Sequence, residues 1–225
     1  MFRFLVFSLP ALLLVASFAD GSIVEYDVVN NCEAMPGGDR FNREIGVAYS
    51  EKVMENTTHF IWKLFQENTY AERKSYDKVI LFIDCKIPGE SYVSGNEVHL
   101  DSFYIQGIQG TNPILEFTGR LFHELTHVWQ WTGKRSAPGG LLEGMADFVR
   151  LKAGFAPEVW MGNPKGSRWD QGYDVTARFL DYCDGIKSGF VAGLNKEMKD
   201  TYSDSYFVEL LDKTVDQVWD EYTSN

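Results

Sequence analysis

The chain has 225 residues and carries 32 acidic against 21 basic side chains, a formal net charge of −11. That balance argues against nucleic acid and anionic membrane surfaces as partners, and its scattered acids read as the solvated surface of a soluble protein. The length suits one sizeable domain with its own core, and a monomer is expected.

At the amino end, Arg3 precedes an apolar run from Phe4 to Val15, and Ser17-Phe18-Ala19 has the small-x-small form of a cleavage site. Residues 1–19 are therefore expected to be a signal peptide and residues 20–225 a single secreted domain. No later segment approaches the roughly 20 apolar residues that a membrane span needs. Ile23 to Val29 alternates apolar and acidic residues, as a half-exposed strand does. Gly37-Gly38 is expected to break the chain, with Asp39 capping a helix that carries Phe41, Ile45, Tyr49 and Val53. Further helix follows through Phe60 to Phe65. Lys78 to Asp84 suits a central strand, and Glu97 to Ile105, after the Ser94-Gly95-Asn96 turn, reads as another. Thr118 to Trp131 is expected to be helical up to Thr132-Gly133, and Leu141 to Ala153 a second helix entered through Pro138-Gly139-Gly140. Val175 to Lys199 and Ser205 to Tyr222 are the last helical patterns. The fold class is thus α+β, with a small N-terminal sheet and a mainly helical C-terminal half.

The three cysteines leave one unpaired within the chain. Cys32 and Cys85 each follow a strand-like run and are expected to pair, with Cys183 a buried free thiol. Asn56-Thr57-Thr58 is an N-glycosylation sequon, usable on a secreted protein if its loop is exposed.

His123-Glu124-Leu125-Thr126-His127 is the motif that carries chemistry. On a helix its two histidines are separated by about 40° around the axis, so both can reach one zinc ion. Glu124 lies about 100° round from His123, placed to take a proton from an activated water without coordinating the metal. It is the candidate general base. A catalytic zinc takes three protein ligands, so one further donor is required. Glu143 and Asp147, four residues apart on the next helix, are the candidates. Glu143 is favoured as ligand, with Asp147 holding a ligand histidine in its metal-binding tautomer; the reverse assignment is the alternative. Gly144 and Ala146 beside them would let the two helices approach closely. Solvated carboxylates, or partners of Arg150 along the helix, are the plainer roles for these two acids. His59 and His99 stand in no ligand spacing and read as structural or surface residues.

Beyond this motif, the stretches from Gly37 to Phe41, Phe60-Ile61-Trp62, Ser94 to Asn96, His123 to Trp131, Gly139 to Pro157 and Arg168 to Met198 resemble the plant basic secretory proteins, pathogenesis-related class 17. The run from Arg168 to Phe179 is far more specific than the zinc motif. The resemblance implies a zincin-like fold and a gluzincin-like site in which His123, His127 and Glu143 hold zinc. It also implies a defence-associated protein of the apoplast acting on peptide or protein substrates. Gluzincins often steady the oxyanion with a downstream tyrosine or histidine; Tyr173 is the candidate, although Trp169 takes the tyrosine position of the aminopeptidase pattern. No Gly-x-Met-Glu-Asn run is present, which favours an endopeptidase. The chain departs from the family's name in being acidic, with a sequence pI near 4.8. A non-catalytic secreted defence protein that binds a microbial or wall component is the rival from another class.

Overall fold

A computed structural model describes residues 24–109, 112–160 and 166–224. The expected signal peptide at 1–19, and Ile23 at the start of the first expected strand, lie outside these residues. The architecture is α+β, a small mixed sheet followed by a helical half. Strands β1 (Glu25–Asn30), β2 (Lys78–Asp84), β3 (Ser91–Ser94) and β4 (Glu97–Asp101) lie in the order β1-β2-β4-β3. The β1–β2 and β2–β4 pairs are parallel, and β3–β4 is antiparallel.

The period of two in β2 and β4 divides the sheet into two unlike faces. Val79, Leu81, Ile83, Val98 and Leu100 are fully inaccessible, sharing one core with Met54 and Ile61 and with Leu121 and Leu125. Each such side chain contributes about 1.5–3 kcal/mol by leaving water. On the other face Phe82, His99 and Tyr92 stack in a row, with ring centroids 4.9 and 4.4 Å apart. His99 Nδ1 lies 2.6 Å from Asp84 Oδ2, and His59 packs edge-on to Trp62. Both histidines have structural surroundings, in line with the reading from sequence.

The helices depart from the expected boundaries in ways that local chemistry explains. Helix α1 (Pro36–Glu44) starts at its proline, so Gly37-Gly38 is not a break but its first turn. A Cβ on Gly37 would sit 1.8 Å from the Ser102 carbonyl oxygen, so the glycine permits α1 to touch the segment that follows β4. The single helix expected through Val53 is divided at Gly46 (φ +81), after which α2 runs Val47–Leu64. The sequon residue Asn56 therefore lies within α2 and not on a loop, and the Thr58 hydroxyl is buried, accepting from Trp129 Nε1 at 3.1 Å.

Strand β4 stops at Asp101, four residues short of the expected Ile105. The Asp101 carboxylate accepts from the Phe103 amide at 2.7 Å and caps helix α3 (Ser102–Gly107). β3, which the pattern did not reveal, forms the edge of the sheet beyond β4. Helix α4 (Pro113–Trp129) begins earlier than expected because Asn112 caps it and Pro113 opens it. Helix α5 spans Gly139–Lys152. The pattern Val175 to Lys199 is two helices, α6 (Tyr173–Ile186) and α7 (Phe190–Glu197), divided at Gly189 (φ +83). The last pattern divides at Asp212 (φ 58) into α8 (Ser205–Leu211) and α9 (Val215–Ser224). Cys32 and Cys85 form a disulfide, and Cys183 is a buried free thiol, as the reading from sequence expected. No helix among the described residues is long and apolar enough to cross a membrane.

Candidate metal centre

Helix α4 presents Phe117, Leu121, Leu125 and Val128 to the core, which turns His123, Glu124 and His127 towards α5 and the cleft. The two imidazoles meet at their Nε2 atoms, 3.2 Å apart. Glu143 of α5 brings its Oε2 to 3.2 Å from His123 Nε2 and 3.6 Å from His127 Nε2. One ligand atom from each of these three residues falls within 4.8 Å of the others, so the group can hold a metal ion.

The remaining ring nitrogens are held from behind. His123 Nδ1 lies 2.7 Å from Asp147 Oδ1, both side chains being buried. Asp147 thus stands behind the histidine, in the first of the two arrangements weighed from sequence, while Glu143 faces the shared point. Gln130 Nε2 lies 2.7 Å from His127 Nδ1, and Gln130 Oε1 is buried without a partner. Turning that amide by 180° would set Oε1 on the Nδ1–H of His127, the tautomer whose Nε2 lone pair is free for a metal. This orphaned oxygen and the two-nitrogen, one-carboxylate donor set fit a zinc ion.

Burial alone would depress the His123 pKa, but hydrogen bonds to Asp147 and Glu143 outweigh it and raise the value to about 9. Burial would likewise raise Glu143, yet His123 and His127 hold its carboxyl well below the usual range. Both shifts express the same attraction between the imidazoles and the carboxylates beside them.

Glu124 is buried beside this group but outside it. Its Oε1 accepts from Ser91 Oγ of β3 at 2.6 Å, and Arg120 Nη1 lies 3.9 Å away. Ser91, Arg120 and Gln130 were not singled out from sequence. Gln130 was within reach of a spacing argument, three residues after His127 at the cap that ends α4; Ser91 carried no signal.

Arg150 turns from Glu143 and Asp147 to Glu116, 3.1 and 3.2 Å from its two oxygens, leaving both acids to the histidines. Gly144 does not serve the α4–α5 approach expected of it. A Cβ there would lie 2.2 Å from Thr176 Cγ2, so its smallness seats α6 against α5. The Thr176 hydroxyl accepts from the Gly172 amide and donates to the Trp169 carbonyl. Tyr173, which opens α6, is thereby set at the cleft with φ 47 and its ring parallel to His123, centroids 6.3 Å apart. The negative charge of Glu143 raises the Tyr173 pKa. Trp169 packs instead on Phe179 and Phe207. The cleft encloses about 1010 Å³ and is lined by Ser91 and Tyr92 of β3 as well as by the three-donor group, Glu124 and Tyr173.

Fold and site together define an α+β protein with an open cleft and a three-donor group able to bind a metal ion. The chain matches the family described as "Peptidase of plants and bacteria" over residues 22–222 and belongs to it. It is also similar to a basic secretory protease of Boswellia serrata, 46% identical over 57 residues, which is 25% of this chain and 64% of that relative. The chain thus spans less than two thirds of that relative's length. No solved structure gives a significant match.

Proposed function

We propose that this protein is a secreted zinc-dependent endopeptidase with a zincin-like fold, formed by residues 20–225 as one domain and acting in plant defence outside the cell. The observation that carries this reading is the convergence of His123, His127 and Glu143, with Glu124 beside them yet outside the donor set. Zinc bound by these three residues supplies a Lewis acid that polarises a carbonyl and acidifies a water. Membership of a peptidase family and the name of the similar protease support peptides or proteins as substrate and secretion as destination.

In this mechanism Glu124 accepts a proton from the attacking water and passes it to the leaving amine. The Ser91 hydroxyl fixes one carboxylate oxygen so that the other faces the substrate. Asp147 and Gln130 hold the two imidazoles in position. Tyr173, exposed over His123, donates its hydroxyl to the oxyanion that develops on the substrate. The outer edge of β3 lines the cleft and has no strand partner among the described residues, so an extended peptide can pair along it.

Mass spectrometry of the purified chain should find one zinc, and the native form should cleave a peptide library while Glu124→Gln retains zinc without cleaving. Full activity in Glu124→Gln would eliminate this mechanism. Stoichiometric zinc without cleavage of any peptide would favour the binding protein instead.

A further inference from the structure

Among the described residues, four cationic side chains line the cleft: Lys74, Arg120, Arg135 and Arg150. Three of them are engaged within the protein. Lys74 Nζ donates to the Val128 carbonyl at 2.8 Å. Arg120 pairs with Glu90 at 2.6 Å, and Arg150 pairs with Glu116 and donates to the Phe155 carbonyl. The Arg135 side chain is exposed and, among the described residues, makes no hydrogen bond or ion pair. In a chain with 32 acidic residues against 21 basic ones, a cleft cation left without an acidic neighbour stands out.

The backbone that presents it is strained. Gly133, Lys134 and Arg135 have φ of 58, 52 and 74, so two consecutive residues bearing a Cβ occupy the left-handed region. Contacts far along the chain hold this turn. The Gly133 amide donates to the Met198 carbonyl at 2.7 Å, Ser136 Oγ donates to the Gly133 carbonyl, and the Tyr202 amide donates to Ser136 Oγ. Lys134 turns outward to Asp200 at 2.7 Å. Strain maintained by surrounding structure is characteristic of residues held for recognition.

We infer that Arg135 determines the specificity of the cleft, selecting peptides that present a carboxylate, from a Glu or Asp side chain or from a free C-terminus. The planar guanidinium fork matches a carboxylate with two parallel hydrogen bonds. The inference rests on the reading of the cleft as a peptide site and names its substrate class.

The test measures binding by the full secreted chain carrying Glu124→Gln, so that no probe is consumed. The probes are N-acetylated decapeptide pools, otherwise random and acid-free, with Glu or Gln at one central position and with free or amidated C-termini. Pools with a carboxylate should bind about tenfold more tightly than the Gln, amidated pool, the size expected of a charge-assisted hydrogen bond. Whether the central Glu or the free terminus carries the gain identifies its source. Arg135→Gly, which suits the positive φ, should abolish the gain and leave neutral-pool affinity within about twofold. Arg135→Lys should keep part of it. Equal affinity for all pools, no binding of any, or an acid preference that survives Arg135→Gly overturns the inference. Cleavage by the native chain is scored separately. Cleavage without acid-dependent binding removes the carboxylate site and leaves the peptidase, whereas acid-dependent binding without cleavage does the reverse.

Discussion

His123 carries two tasks on two nitrogens, and Asp147 governs which is free. With Oδ1 2.7 Å from Nδ1, the carboxylate fixes the proton there and leaves Nε2 to the shared point. Asp147→Asn should therefore weaken zinc binding about 10–100-fold in a chelator competition titration; unchanged affinity would show the contact to be incidental. Ser91 acts on the neighbouring function. Its 2.6 Å hydrogen bond to Glu124 fixes the candidate base, so Ser91→Ala should lower kcat about tenfold with KM and zinc content unchanged, and Ser91→Thr should restore most of it. A loss confined to KM would reassign Ser91 to substrate binding. Arg135 shows the cost of presentation. Arg135→Gly should stabilise the fold by about 1 kcal/mol, read as a higher urea midpoint, because glycine occupies the left-handed region freely.

Helices α4, α5 and α6 act as a set that brings the three parts of the site together. α4 supplies the histidines and Glu124, α5 supplies Glu143 and Asp147, and α6 opens with Tyr173. The contact between α5 and α6 depends on Gly144, where an added Cβ would meet Thr176 Cγ2 at 2.2 Å. Gly144→Ala should cost about 1–3 kcal/mol by overpacking. Because the same shift moves Glu143 and Tyr173, activity should fall with it; a urea midpoint equal to the native one would refute the packing argument. The helix periodicity made α4 and α5 legible, since apolar residues recur at the spacing of one buried face. The divisions at Gly46, Gly189 and Asp212 were less legible, because apolar periodicity continues across a left-handed residue that interrupts the backbone.

At the scale of the molecule, two features tie distant segments together. The Cys32–Cys85 disulfide closes a separation of 53 residues between the ends of β1 and β2. Reducing it should cost about 2–4 kcal/mol of stability, measured by urea unfolding with and without reductant. Glu67, at the end of α2, meets Asn195 of α7 at 3.0 Å, and Asn195 in turn accepts from the Trp131 amide. Burial raises the Glu67 pKa from 4.5 to about 8, outweighing the hydrogen bond from Asn195. The folded chain therefore keeps a proton that the unfolded chain releases, so this residue's contribution to stability is full below about 4.5 and falls as pH rises towards about 8. Glu67→Gln should flatten that part of the profile, and an unchanged slope would place its origin elsewhere.

The sequence by itself determined the helical pairing of His123 and His127, the downstream acids, the central strand and the α+β class. Each rests on spacing within one element or a short connector, where backbone geometry alone decides which side chains share a face. Tertiary structure alone decided that β3 forms the sheet edge, that Ser91 reaches Glu124 across 33 residues, and that Gly144 serves α6 rather than α4. It also chose between Tyr173 and Trp169 for the cleft, packing the latter's ring edge-to-face with Phe207. The physical reason is common to these cases. Contacts between distant segments are set by how whole faces pack, and a turn such as Gly133 to Arg135 can be held against its local preference only by the rest of the fold.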